Sequence, residues 1–206
     1  MKFINGLGLA KKKVNSNIFQ KISRAPIIHR TNQEPYGTGS VYVMHENHVW
    51  KMWYTNIVKW NNPKSQKPIH YNIRYAESND GLHWERKNKI CINYKKQNCE
   101  YVVGKPYVIK YKNLYLMTYS YRGIYYKIGF AVSRDGVKWS RHDKELGLDK
   151  SKTGWDSKMV CYGFPYIFAN NLNLLYSGNK FGLSGIGLAT LELKELDKIL
   201  KKLNYI

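Results

Sequence analysis

The sequence predicts an all-β fold: a partial β-propeller of about three four-stranded antiparallel blades, followed by a short C-terminal helix. Three observations predict it. Residues 73–84 (IRYAESNDGLHW) and 128–139 (IGFAVSRDGVKW) share the pattern I-x-[YF]-A-x-S-x-D-G-x-x-W at an offset of 55 residues, and a long match at a fixed offset marks a duplicated supersecondary unit. Each copy ends a series of β-rich runs separated by turn signals, so the unit is a four-stranded meander, the size of a propeller blade. A third series, beginning at CYGFPYIFA (161–169), lacks the D-G-x-x-W ending. It runs instead into LKELDKILKKL, where Leu193, Leu196, Ile199, Leu200 and Leu203 share one helical face.

In chain order, residues 1–17 hold NGLGLA, which resembles GIGLA at 185–189 and reads as the tail of an incomplete blade. This is the first sign of a truncated chain. The first blade is assigned to 18–90. Its opening stretch (18–38) is rich in turn formers, and SVYVMHE (40–46) and VWKMWYT (49–55) alternate as half-buried strands. A Pro- and Asn-bearing loop (56–69) then leads to the strand YNIRYAES, an Asn79-Asp80-Gly81 turn and WERK (84–87). The second blade, 91–145, repeats that order with YVVGKPYVIK (101–110), LYLMTYS (114–120), IYYKIGFAVS (124–133), the Asp135-Gly136 turn and KWSR (138–141). The third, 146–192, holds CYGFPYIFA, LNLLYSG and GIGLATLEL, and the helix occupies 193–204. Trp84 and Trp139 are expected to wedge between neighbouring sheets while Ser78/Asp80 and Ser133/Asp135 fix the turns, a scaffold role rather than a catalytic one.

Composition narrows the classes. With 43% hydrophobic and 15% aromatic residues, 18 Tyr and 6 Trp among them, the chain can build a core and is not of the disordered class. No apolar run approaches the roughly 18–20 residues of a membrane span. The opening MKFINGLGLAKKK places its apolar stretch before the lysines, the reverse of a secretory signal. Cys91, Cys99 and Cys161 are odd in number and form no C-x-x-C pair, as expected of reduced thiols. Together these features point to a cytoplasmic protein. The net charge of +20 is carried mostly by scattered lysines. A polyanion or nucleic-acid binder is therefore the least favoured reading, since such a protein clusters its cations in a stripe.

The ordered series EPYGTGSVYVM, WKMWYT, YNIRYAESNDGLHWER, GKPYVIK, YSYRG, IGFAVSRDGVKW, GWDSKMVCYGFPYIF and YSGNKFGLSGIGLA resembles the family 43-like branch of the arabinanase/levansucrase/invertase superfamily. That resemblance covers about residues 5–192. It implies a five-bladed propeller with a sugar site at the mouth of the central channel, of which this chain holds the C-terminal three blades. It further implies a glycosyl hydrolase or transferase whose general base lies in blades upstream of this chain.

Cleaving a glycosidic bond needs paired carboxylates, and only 14 acidic residues are present. Glu34, Glu100 and Asp156 each stand just before the first strand of a unit, a repeated placement that predicts one shared mouth. By the resemblance, Glu34 occupies the blade of the general acid. Arg122 offers a planar fork for a carboxylate, phosphate or vicinal hydroxyls. Tyr36, Lys105, Tyr121, Tyr162 and Asn179 lie at comparable strand ends and complete the expected substrate contacts. The histidines show no metal spacing, so neither a metal nor another cofactor is expected. The leading reading is thus a carbohydrate-active protein with a glycan or glycoconjugate ligand. The alternative is a non-catalytic sugar-binding or assembly module, with self-association or a complementing chain at the open blade edges.

Overall fold

The computed structural model describes residues 5–62, 64–65 and 67–206. Its core is three antiparallel sheets, each a meander in which consecutive strands are neighbours. The first holds β3 (Thr38–Glu46), β4 (Val49–Trp60), β5 (Ile69–Ser78) and β6 (Glu85–Ile92). The second holds β7 (Val102–Tyr111), β8 (Leu114–Arg122), β9 (Tyr126–Ser133) and the two-residue β10 (Ser140–Arg141). The third holds only β11 (Cys161–Phe168), β12 (Asn171–Ser177) and β13 (Ile186–Glu192). Two short strands, β1 (Ala10–Lys11) and β2 (Gln20–Lys21), pair as a separate ribbon, and Leu7 bridges Ile28. Residues 18–28 therefore fold back on the N-terminal segment rather than opening the first blade, as the sequence had suggested. The loop expected over 56–69 is likewise shortened, because β4 runs on to Trp60 against Ile69.

The duplicated phrase builds the same turn twice. Gly81 N–H and Gly136 N–H each donate to the preceding Ser Oγ at 2.8 Å. Asp80 Oδ1 accepts from Leu82 and His83 N–H, both at 2.8 Å, and Asp135 Oδ1 accepts from Val137 and Lys138 N–H at 2.8 and 2.7 Å. The glycines sit at φ +74° and +77°, a conformation that costs other residues strain. The tryptophan after each turn is indeed a wedge. Trp139 meets Trp53 edge-on at 6.2 Å across the interface of the first two sheets, and Trp53 Nε1 donates to Gly136 O at 2.7 Å. Trp84 packs against Ile28, Met52 and Leu7 on the other side of the first sheet.

Between the first two sheets lies the main core, built from Trp53, Ile73, Tyr75 and Ile92 on one side and Val103, Val108, Met117 and Tyr119 on the other. The second and third sheets share a smaller core. There the C-terminal helix α2 (Leu193–Lys202), which follows the distorted turn α1 (Asn179–Gly182), inserts Leu196 and Leu200 against Leu114, Leu116, Phe130 and Val132. The helix follows the third sheet where the other two continue into a fourth strand.

Candidate functional site

The three first strands, β3, β7 and β11, each carry an irregularity near their start. Gly39 and Ser40 stand opposite Thr55, Lys105 and Pro106 opposite Tyr119, and Tyr162 and Gly163 opposite Tyr176. Two residues facing one is a β-bulge, a device that re-aims a side chain and is frequent beside binding sites. Lys105 and Tyr162 occupy equivalent bulge positions at φ +58° and +57°, a region that non-glycine residues seldom enter. The conformation is locked between sheets. Lys105 N–H donates to Thr55 Oγ1 at 2.9 Å, and Tyr162 N–H donates to Ser120 Oγ at 2.8 Å. The close approach of the first two sheets also requires Gly104, where a Cβ would stand 2.8 Å from Thr55 Oγ1 and Cγ2.

Together these bulges open onto a cavity of about 450 Å³. Ser40, Lys105 and Tyr162, one residue from each sheet, line it, and the N-terminal segment at Asn5–Leu7 forms another part of the wall. Tyr71, Tyr126 and Phe181 give it an aromatic side. Phe181 is half exposed, sits at φ +60°, and stacks on Tyr162 with centroids 5.8 Å apart and planes 20° from parallel. Burial pushes the Tyr71 and Tyr162 phenols up to about 12 and raises Tyr126 as well, so all three are neutral hydrogen-bonding groups at physiological pH. Thr38 is almost fully buried, and its Oγ1 finds no hydrogen-bond partner among the described residues. An orphaned buried hydroxyl is costly unless something completes it.

Of the residues singled out in the sequence, the structure brings Lys105 and Tyr162 together on this cavity. Arg122 is not among the residues lining it, but its guanidinium carbon lies 5.3 Å from the ring centre of the cavity residue Tyr126. The other candidates lie elsewhere. Asn179 is occupied by its own loop: its Oδ1 accepts from Lys158 and Met159 N–H at 2.7 and 3.2 Å, while Nδ2 donates to Gly154 O at 3.2 Å. Tyr36 is 40% exposed and Tyr121 borders a separate hollow of about 330 Å³ with Glu100 and Lys127.

The expectation that Glu34, Glu100 and Asp156 line one mouth is not met by this geometry. None of the three is among the residues lining the 450 Å³ cavity, and all three are buried. Glu34 accepts from Tyr54 Oη at 2.7 Å and Arg86 Nη1 at 2.7 Å, with Arg74 Nη1 at 3.3 Å. Glu100 accepts from Arg141 Nη1 and Nη2 at 2.8 and 3.2 Å, and Arg141 Nη2 also reaches Asp143 at 2.7 Å. Asp156 takes a single phenol, Tyr176 Oη, at 3.0 Å. Arg86 and Arg141 each follow the wedge tryptophan by two residues, so the ion pair joins the two edges of one blade. The third sheet has no fourth strand to supply an arginine.

Sequence reasoning missed the bulges and the cavity residues Thr38, Ser40, Tyr71, Tyr126 and Phe181. One signal was present: GSVY (39–42) and GKPY (104–107) are equivalent tetrapeptides whose second residue is the variable cavity-facing one. Among the described residues, no group of three or more His, Cys, Asp or Glu is placed to hold a metal. Nor is any helix there long and apolar enough to cross a membrane.

Comparison with known proteins places this architecture. No family model matches the chain. It is 31% identical over 188 residues to the uncharacterized protein Rv1502 of Mycobacterium tuberculosis strain H37Rv, a match covering 91% of this chain and 62% of that protein. The chain thus spans about three fifths of the curated relative. Among solved structures it is similar to a thermostable family-43 glycoside hydrolase (TM-score 0.66, 18% identity, 84% of this chain and 59% of that one). It is also similar to Zg3597, a family 117 glycoside hydrolase of Zobellia galactanivorans (TM-score 0.61, 16% identity, 79% and 54%). The fold is that of the propeller-type glycoside hydrolases, matched over little more than half of each enzyme.

Proposed function

We propose that this chain is a carbohydrate-binding part of a carbohydrate-active propeller, with the sugar seated in the cavity where the three inner-strand bulges meet. The observation that carries this reading is the cavity itself. It combines a half-exposed aromatic platform (Phe181 on Tyr162), neutral phenols and the hydroxyl of Ser40. Aromatic faces with a few converging polar groups are what a sugar ring requires, and the fold shared with glycoside hydrolases is consistent with it. In a longer protein such as the curated relative, further chain would adjoin this cavity, and hydrolysis or transfer of a glycosyl group is the activity we propose for that whole.

Within this chain the cavity is a binding site rather than a cleavage site, because its lining offers no carboxylate pair. A second reading, hydrolysis with Glu34 as the acid, is favoured by the repeated placement of the three acidic residues just before the inner strands. The two part on one experiment: titration with a panel of monosaccharides, followed by an aryl-glycoside assay. Binding weakened about tenfold by Tyr162→Ala, with no turnover, supports the first reading. Turnover that falls in Glu34→Gln while the fold is retained supports the second, and turnover unchanged in Glu34→Gln removes it.

A further inference from the structure

Within that carbohydrate-binding reading, on which this inference rests, the chemistry of the lining discriminates between sugars. Lys105 is half-buried and forms no ion pair among the described residues, its ammonium lying 5.3 Å from the Tyr162 ring centre. Most other partly buried cations here are matched: Lys51 pairs with Glu46, Arg74 and Arg86 share Glu34, and Arg141 pairs with Glu100. A half-buried charge kept free of a counter-ion, at a backbone angle held by an inter-sheet hydrogen bond, is a strained arrangement of the kind that accompanies function.

The neighbouring hydroxyls are biased towards donating. Thr55 Oγ1 and Ser120 Oγ already accept from the Lys105 and Tyr162 N–H groups, and neither hydroxyl proton is given to another described group. Thr55 lies opposite Gly39 and Ser40 in the first bulge, and Ser40 lines the same cavity. A neutral sugar needs acceptors for its hydroxyl protons as well as donors, and carboxylates usually provide them. This wall supplies a cation and no carboxylate.

We propose that the cavity selects a sugar carrying an anionic substituent, a carboxylate or a phosphate, which Lys105 engages by charge while the hydroxyls of Ser40 and Thr55 donate to its oxygens. Charge-assisted hydrogen bonds of this kind are roughly twice as strong as neutral ones. The preference is assigned to Lys105, and the aromatic platform contributes to charged and neutral sugars alike.

The test is calorimetric titration of the 206-residue chain with galactose, galacturonate and galactose 6-phosphate, and with the matching glucose series, so that only the C6 group changes. The expected result is tighter binding of the anionic members by about tenfold or more. Galacturonate against the 6-phosphate decides whether carboxylate or phosphate is the better fit. Lys105→Met should erase the preference, so that neutral and anionic members bind alike, and Lys105→Arg should keep it. Equal binding of neutral and anionic members, or a preference that survives in Lys105→Met, overturns this inference and leaves the sugar-binding reading standing. Failure of every sugar to bind overturns both.

Discussion

Two sets of residues recur on the same three chain segments, five or six positions apart, and they behave in opposite ways. Glu34, Glu100 and Asp156 keep the same chemistry in every repeat, and each is buried against a phenol or an arginine of its own sheet. Ser40, Lys105 and Tyr162 differ in chemistry from one repeat to the next, and all three face one cavity. Repetition with constant chemistry serves the blade, which needs the same brace each time it is built. Repetition of position with divergent chemistry fits the proposed ligand, which is not threefold symmetric and would meet a different group on each side.

That contrast can be broken most severely at Glu34. Glu34→Ala leaves Arg74 and Arg86 without their shared counter-ion inside the protein, and breaking a buried pair in this way costs about 3–5 kcal/mol. Asp156→Asn removes a charge braced by one phenol only and should cost about 1 kcal/mol. Urea unfolding of the two variants measures the difference, and equal losses would deny that the arginines set the larger cost. At the bulge, Thr55→Val deletes the acceptor for the Lys105 N–H and should cost about 1–3 kcal/mol as an unsatisfied buried donor. Unlike Glu34→Ala, it should also loosen sugar binding, because it releases the backbone that aims Lys105.

The smallest expected effect comes from pH. Burial, helped by Lys59, Lys67 and Lys96, lowers the His70 pKa, and burial lowers that of His142. With folded values below the unfolded one of about 6.5, the unfolded chain takes up protons first as the pH falls. The stability these residues contribute is therefore complete above about pH 6.5 and is lost as the pH drops through the folded values. Glu46, drawn down to about 2 chiefly by hydrogen bonds from Lys110 and Tyr115, should hold until the pH falls below the ordinary carboxylate range. A melting temperature that begins to fall near pH 6.5, and falls less in His70→Gln, is the expected profile. A flat profile down to pH 5 would contradict it.

The blade repeat was legible in the sequence because its turn is local: Ser78, Asp80 and Gly81 make their contacts within a few residues, and so do Ser133, Asp135 and Gly136. The wedge role of Trp139 followed from its fixed distance to that turn. The site was harder to read, because a bulge is a property of two paired strands and leaves no mark on either one alone. Lys105 and Tyr162 drew attention only as residues at strand ends, with nothing in the sequence to show that both face one space. The acidic residues misled for a related reason. Their equivalent spacing was real, but the partners that occupy them, Arg86 and Arg141, lie 52 and 41 residues further along the chain. The W-x-R element that supplies those arginines was visible in both copies.

On the proposed function, ligand is held at the bulges and not at the acidic ends of the inner strands. The most direct measurement is mapping of backbone amide chemical shifts while the chain is titrated with galacturonate. The largest shifts are expected at Ser40, Lys105 and Tyr162, with Glu34, Glu100 and Asp156 little changed. Shifts concentrated at Glu34, Glu100 and Asp156, with the three bulge residues unmoved, would contradict it.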